Sequence, residues 1–260
     1  MKIFLKILFG VAGILVFLLL IWLFAIPVSL IQSNIEDVVA RSGNSNMRLT
    51  IEGLRKGLFL NLYADRLDLN IDNRSALIVT EFSGRFAPGY LRYGKLVVRI
   101  KGNLADGDLN GVFQYPASGE IKIEKAALDK IPYLARFGID MKGSAYSDIA
   151  LDIEAVNIVF RVPDLSIDES ATIIPLLNTF HTIQGSVSII QKKVNVDSVS
   201  LEGDKGYARL KGNIINNRMD LAIELMPDRD KLNALESMMI GKYIVSPGYY
   251  VVPIKGVMPL

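Results

Sequence analysis

The 260-residue chain contains no cysteine. That excludes disulfides, thiolate catalysis and cysteine-based metal sites together. Histidine is almost as scarce, His181 being the only one. A catalytic histidine needs a nucleophile and an orienting acid, and an ordinary metal site needs several His, Cys or carboxylate ligands, so neither set is easily completed. Excess charge is missing too. Of the 29 Lys and Arg, Lys2 and Lys6 precede a long apolar run, and the remaining 27 equal the 27 Asp and Glu. The signs are interleaved, without the basic face a nucleic-acid binder needs, so no nucleic-acid partner is expected. No G-x-x-x-x-G-K-[ST] loop occurs, and "GNLADGDLNG" lies between strand-like runs with no helix start to receive a phosphate.

What the chain does have begins with grease. From Ile7 to Ile35 there is no charge, and "ILFGVAGILVFLLLIWLFAIPVSLI" is long enough to cross a hydrocarbon layer of roughly 30 Å as one helix. A cleaved signal peptide has an apolar core of only about 7 to 15 residues, and no A-x-A site follows this one, so the reading taken is an uncleaved signal anchor. Trp22 sits where an interfacial ring is favoured, and Pro27 where the helix stops. Lys2 and Lys6 on a short tail keep the N-terminus cytoplasmic. Residues 1–35 are thus a tail and transmembrane anchor, and 36–260 one exported domain held by ordinary packing.

Beyond the anchor, "NIEDVVARSG" (34–43) reads as a short helix capped by Ser33 or Asn34 and stopped by Gly43. The period then changes to two. Leu58, Leu60 and Leu62; Leu67, Leu69 and Ile71; Leu96, Val98 and Ile100; Ile121 and Ile123; and Ile149, Leu151 and Ile153 each mark a half-buried strand. Val187 and Ile189, Val194 and Val196, Val199 and Leu201, and Leu221, Ile223 and Leu225 continue the pattern. Turn residues in "ADGDLNG", "GSAYSD", "EGDKGY" and "NIINNR" predict hairpins and a largely antiparallel sheet. The alternation changes phase between Leu62 and Leu67 and between Val196 and Val199, which predicts a bulge or bend at each and hence a curved sheet. A loose repeat of "KGN", "KGS", "QGS", "KGN" and "KGV" at 101, 142, 184, 211 and 255 places glycine where strands end or begin.

Two segments read as helices. In "KAALDKIPYLARFG" (125–138), Leu128, Ile131, Leu134 or Ala135, and Phe137 or Gly138 recur at helical spacing, with Pro132 at a start or kink. In "DRDKLNALESMMIGK" (228–242), Asp228 or Asp230 caps, Leu232, Leu235 and Met239 share a face, and Gly241 stops the helix. The fold class is therefore mainly β: an anchor helix, then a curved antiparallel sheet, an open barrel or groove, with one or two short helices.

Candidate chemistry is sparse. His181 reads as a half-exposed residue where a loop enters a strand near Gly185. The pairs Asp65/Asp68, Asp106/Asp108 and Asp228/Asp230 could suggest acid–base or calcium chemistry, but turn residues explain them, and an EF-type donor series is missing. Asn73-Arg74-Ser75 matches a glycosylation triplet of little weight. Phe86, Tyr90, Tyr93, Tyr249 and Tyr250 cluster beside Pro and Gly, which suits aromatic cover of sheet ends or ligand contact. If the sheet is not fully covered, its apolar face is a groove for an acyl chain or a partner strand. No catalytic, cofactor-binding or metal-binding residue is singled out, no cofactor is expected, and the expectation is a protein that is not an enzyme.

The order "KGNLADGDLNG", "IPYLARFGIDMKGSAYSDIALDI", "IIPLLNTFHTIQGSVSIIQKKVNVDSVSLEGDKGYARLKGNI", "RMDLAIELMPD" and "YYVVPIKGVMPL", behind one anchor, resembles type II secretion system protein N and, more distantly, AsmA-type repeat proteins. The resemblance covers about 101–258. It implies a single-pass protein of the bacterial inner membrane with a periplasmic β-rich domain, an accessory of the apparatus that exports folded proteins, with other secretion subunits as partners. The AsmA-type likeness implies an apolar β-groove that takes lipid acyl chains. Neither family transfers a catalytic residue.

Overall fold

The computed structural model describes residues 9–10, 13–14, 16–42, 47–115, 118–136, 140–168, 176–191, 193–216 and 218–257. The basic start at Lys2 and Lys6, the helix stop at Gly43, and Phe137 and Gly138 lie outside them. The chain is mainly β, and its compact units divide between Gly102 and Asn103.

In the first unit, residues Val16–Ala25 are helical, ending in a π-turn over Ile21–Ala25, and α1 (Val28–Ser42) follows. The axes bend by 79° between them. Pro27 has no N–H to continue the ladder, and Ile26 adopts an extended conformation, so the break falls where proline predicts it. Among the described residues no single helix is long and apolar enough to cross a membrane, although the bent pair passes that test together. The second helix is longer than "NIEDVVARSG" suggests. Ser33 and Asn34 are inside it, and their side chains donate back to the Leu30 carbonyl instead of capping.

The strands of this unit are β1 (Met47–Glu52), β2 (Arg55–Lys56), β3 (Leu62–Ile71), β4 (Arg74–Phe86) and β5 (Leu96–Leu104), the last containing the division. Their order is β1-β3-β4-β5, with β2 beside β3. Edge strand β1 is shielded by α1: Gln32 Nε2 donates to the Ile51 carbonyl (2.9 Å), and the Ile51 N–H donates to Glu36 Oε1 (3.2 Å). Covering an edge in this way satisfies groups that would otherwise invite another strand. Two expected alternations fail here. Leu58 and Leu60 belong to a turn, and β3 runs unshifted from Leu62 to Leu69, the irregularity coming between Leu69 and Asn70. In β5 it is Val97 that is buried, while Leu96 and Val98 are exposed. A contiguous Leu-Val-Val offers either phase, and local periodicity does not choose between them.

The second unit holds β6 (Gly107–Tyr115), β7 (Ser118–Ala127), β8 (Met141–Lys142), β9 (Ser144–Leu151), β10 (Ala155–Val162) and β11 (Ser166–Ile167). Then come β12 (Phe180–Ile190), β13 (Lys193–Gly203), β14 (Gly206–Ile215), β15 (Arg218–Pro227), β16 (Ile244–Ser246) and β17 (Tyr249–Val257). The main sheet has the order β6-β7-β9-β10-β12-β13-β14-β15-β17-β16, and β8 pairs with β11 separately. Its neighbouring strands pair antiparallel, as the turns in "ADGDLNG", "EGDKGY" and "NIINNR" predict, whereas "GSAYSD" is not a turn but the body of β9. The expected bulge is present: β13 shifts register against β14 between Val196 and Val199, and against β12 at Ser186/Val187. Gly185 and Gly212 flank it on the two neighbouring strands, pairing with Val199 and Val196. Gly212 has φ 132°, and a Cβ there would stand 2.3 Å from the Asp220 carbonyl oxygen. The glycine of the loose repeat is thus mostly inside strands, at Gly102, Gly185, Gly212 and Gly256, and only Gly143 sits at a strand break.

Both expected helices are shorter than their patterns. Strand β7 continues to Ala127, and only the single turn α2 (Pro132–Ala135) forms, with proline at its start. The other segment begins as a 3₁₀ turn capped by Asp228, and α3 (Ala234–Gly241) then starts from a capping box between Asn233 and Glu236. With the start moved to Asn233, Ile240 is the buried residue of α3, while Leu235 and Met239 are exposed. Leu232, outside the helix, packs on the core.

Candidate functional site

Register makes the second sheet two-faced. In each antiparallel pair, directly opposed residues share a face. On one face the opposed residues form apolar rows running across the strands. One row is Val162, Ile183, Leu201, Ala208, Leu225 and Tyr250. Apart from half-buried Ile183, its members are buried. Over that end of the sheet the buried cluster includes Leu128, Leu165, Ile167, Leu176, Leu177 and Ile240, from the segments that interrupt the strands.

Six residues further along the strands, seven in bulged β13, the cover thins, although Ile214 and Met219 still pack against the buried cluster. The row Leu151, Val156, Ile189, Val194, Ile214 and Met219, continuous through the same pairings, is half-buried at every position. Beside it, Ile121, Ile149 and Ile158 are opposed in turn and also half-buried, outside the buried cluster. The part of the row outside the buried cluster, Leu151, Val156, Ile189 and Val194, crosses β9, β10, β12 and β13, three inter-strand spacings of about 4.8 Å and about 14 Å in all. This is a half-buried apolar strip, less covered toward β9 than toward β15.

The opposite face is polar. A shallow hollow of about 550 Å³ opens across β9, β10, β12 and β13, lined by Tyr146, Asp148, Arg161, Gln184, Ser186 and Ser200 among others. The Arg161 guanidinium lies 4.8 Å from the Tyr146 ring centre. Further across, Glu224 is buried yet charged, because Lys211 hydrogen-bonds to it and the Tyr249 hydroxyl adds a second bond. The lysine bond holds the Glu224 carboxyl below the usual 4.5, against the opposing effect of burial. The same contacts raise Lys211 and Tyr249. Such a cluster stabilises cross-strand pairing, and it faces solvent through its partners.

Residues singled out from the sequence are scattered. His181 is exposed and lies inside β12, which begins five residues before Gly185. Its Nδ1 is 3.3 Å from Thr182 Oγ1 and its Nε2 is 3.6 Å from the exposed Asp204. Thr182 is the next residue in the strand and donates to the Pro163 carbonyl, so no nucleophile is aimed at a substrate. Asp65 pairs with Arg55, while Asp68 accepts from Arg66 and Ser75. Asp106 pairs with Lys130 from a turn, and Asp228 caps. None of these pairs converges with another, and among the described residues no group of three or more His, Asp or Glu could hold a metal. The aromatic set divides: Tyr250 is core, Tyr249 serves Glu224, and Tyr90 and Tyr93 are exposed. Sequence alternation found the apolar face but not which rows stay open.

Comparison with protein-family models, curated proteins and solved structures finds no match.

Proposed function

We propose that the protein is a non-catalytic, membrane-anchored accessory of type II protein secretion that acts by contact from the periplasmic side of the bacterial inner membrane. The observation that carries the reading is the two-faced sheet of the second unit, which offers extended surface on which, among the described residues, no cluster of His, Asp or Glu converges. The order of segments that resembles type II secretion protein N supports it. Exposed Phe9, Phe17 and Phe24 in the N-terminal helical stretch support the anchor, since a run of uncovered aromatic and aliphatic side chains suits lipid better than water. In-membrane crosslinking followed by purification in detergent is the test. Recovery of secretion subunits, with a secretion defect on deletion, is the expected result, and recovery of none with normal secretion overturns the reading.

A second reading has its own observation, the open apolar strip. On this reading the sheet holds lipid acyl chains, as the AsmA-type likeness implies. A diazirine-bearing phospholipid should label peptides containing Leu151, Val156 or Ile189, and Ile158→Asp should abolish that labelling. Labelling confined to the N-terminal helical stretch would dismiss it.

A further inference from the structure

The first unit carries two apolar loops at one end of its sheet. The first, Gly57–Asn61, joins β2 to β3 and presents Leu58, Phe59 and Leu60, which are 53%, 69% and 45% exposed. The Gly57 N–H donates to the Asn61 carbonyl, and the Asn61 N–H to the Leu58 carbonyl. Phe59 and Leu60 have φ of 54° and 61°. A mirror-image hairpin turn of this kind favours Asn-Gly, and bulky apolar residues there are both strained and wetted. Folding alone gives no reason for them.

The second loop, 87–95, joins β4 to β5 and exposes Tyr90, Leu91 and Tyr93, followed by exposed Leu96. It lies at the same sheet end, because Leu62 at the start of β3 opposes Gly84 near the end of β4, and the Ala87 N–H donates to the Val97 carbonyl. Charge agrees between the loops. Residues 55–61 and 84–96 contain five Lys and Arg and no Asp or Glu; Arg55 pairs with Asp65 and Lys56 is held by helix carbonyls, which leaves Arg85, Arg92 and Lys95 to face anionic groups. The Arg92 guanidinium stacks 4.6 Å from the Tyr93 ring centre.

The same end is tied to the apolar N-terminal stretch. Trp22 Nε1 donates to the Gly57 carbonyl (2.8 Å). Lys56 Nζ donates to the carbonyls of Trp22, Leu23 and Ile26, the groups left unpaired where that helix breaks. One turn therefore joins the helix end to the exposed Leu-Phe-Leu tip.

We propose that these two loops are a lipid-docking surface that seats in the headgroup layer of a bilayer containing anionic lipid. Tyr and Trp at the interface, Leu and Phe dipping below it, and Arg and Lys meeting phosphates are the arrangement such a layer selects. The inference rests on the membrane-anchored reading, and the docked end would hold the sheet at a set angle to the bilayer.

The native chain has no cysteine, so single spin labels are placed cleanly. Full-length F59C, L91C and Y93C are reconstituted in phosphatidylcholine bilayers with and without phosphatidylglycerol, beside L18C in the apolar stretch and I153C in an exposed turn. Oxygen and a water-soluble nickel chelate are the relaxing probes. Docking predicts a gain of oxygen and a loss of chelate accessibility at 59, 91 and 93 relative to 153, larger with phosphatidylglycerol and reduced by Arg85→Gln/Arg92→Gln/Lys95→Gln. Chelate-accessible labels at 59, 91 and 93 with a lipid-facing label at 18 overturn docking and leave anchoring intact. A chelate-accessible label at 18 overturns anchoring, and the loop labels then decide docking separately. Immersion unaffected by phosphatidylglycerol and by the triple substitution overturns the assignment to anionic lipid.

Discussion

Glu224 is the most demanding single residue of the second unit, a buried carboxylate kept ionised by Lys211 and Tyr249. Because its folded pKa is depressed, its stabilising contribution is present above the ordinary 4.5 and is lost as pH falls through the folded value. Lys211 is the opposite case: raised above 10.5, its contribution is present below that value and lost as pH rises through the folded value. Glu224→Gln should therefore lower the melting temperature at pH 7, and the gap from the native protein should close as pH falls below 4.5 and through the folded value. Thermal unfolding in detergent across that range checks it. Phe59 and Leu60 are the complementary case, residues that weaken the fold. Replacing them with Asn and Gly should raise stability by about 1–2 kcal/mol through relief of the left-handed backbone. If denaturant unfolding shows a loss instead, the two side chains are packing and not strained. This turn was not legible: the alternating leucines of "GLFLN" read as strand, because a two-residue period does not distinguish a strand from a hairpin turn.

At the scale of elements, the bulge in β13 and its flanking glycines form one device. An extra residue crowds the neighbouring backbones, and Gly212 leaves room for the Asp220 carbonyl. Gly212→Ala should cost about 2–3 kcal/mol, from positive φ and the backbone clash together, and should be read by denaturant unfolding. The phase change between Val196 and Val199 marked this bulge, while the like change between Leu62 and Leu67 has none, because β3 stays in register with β4 there. The helix α3 was less legible. The sequence offered Asp228 or Asp230 as the cap, and the reciprocal bonds of Asn233 and Glu236 set a later start. Asn233→Ala should remove about 1 kcal/mol and fray α3, visible as faster amide exchange over 234–241 while β15 keeps its protection. The edges are managed at this scale as well. On β17 the Val251 N–H bonds outward to the Tyr243 carbonyl, so Pro253, two residues on, has its missing N–H on the same open side. A proline there blunts the edge without breaking the ladder to β15.

Across the whole molecule the controlling contrast is between covered and open apolar rows within the second unit. Truncating a covered residue should cost far more than truncating an open one. Leu225→Ala, at a side chain 1% exposed, should lose about 2–5 kcal/mol, whereas Ile158→Ala in the open region should lose clearly less. Paired unfolding curves of the two variants check the gradient, and equal losses would mean the strip is filled.

Alternation, turn residues and one phase slip are local properties, and they determined by themselves that this chain is mainly β, antiparallel, two-faced and bulged between Val196 and Val199. An uncharged run from Ile7 to Ile35 likewise announced the apolar N-terminal stretch. Tertiary structure alone decided which apolar rows lie under a cap, that Val97 and not its neighbours turns inward, and that the loops at 57–61 and 87–95 share one sheet end with Trp22. The reason is range: a period of two residues reports which side chains share a face, while coverage and juxtaposition depend on segments tens of residues away.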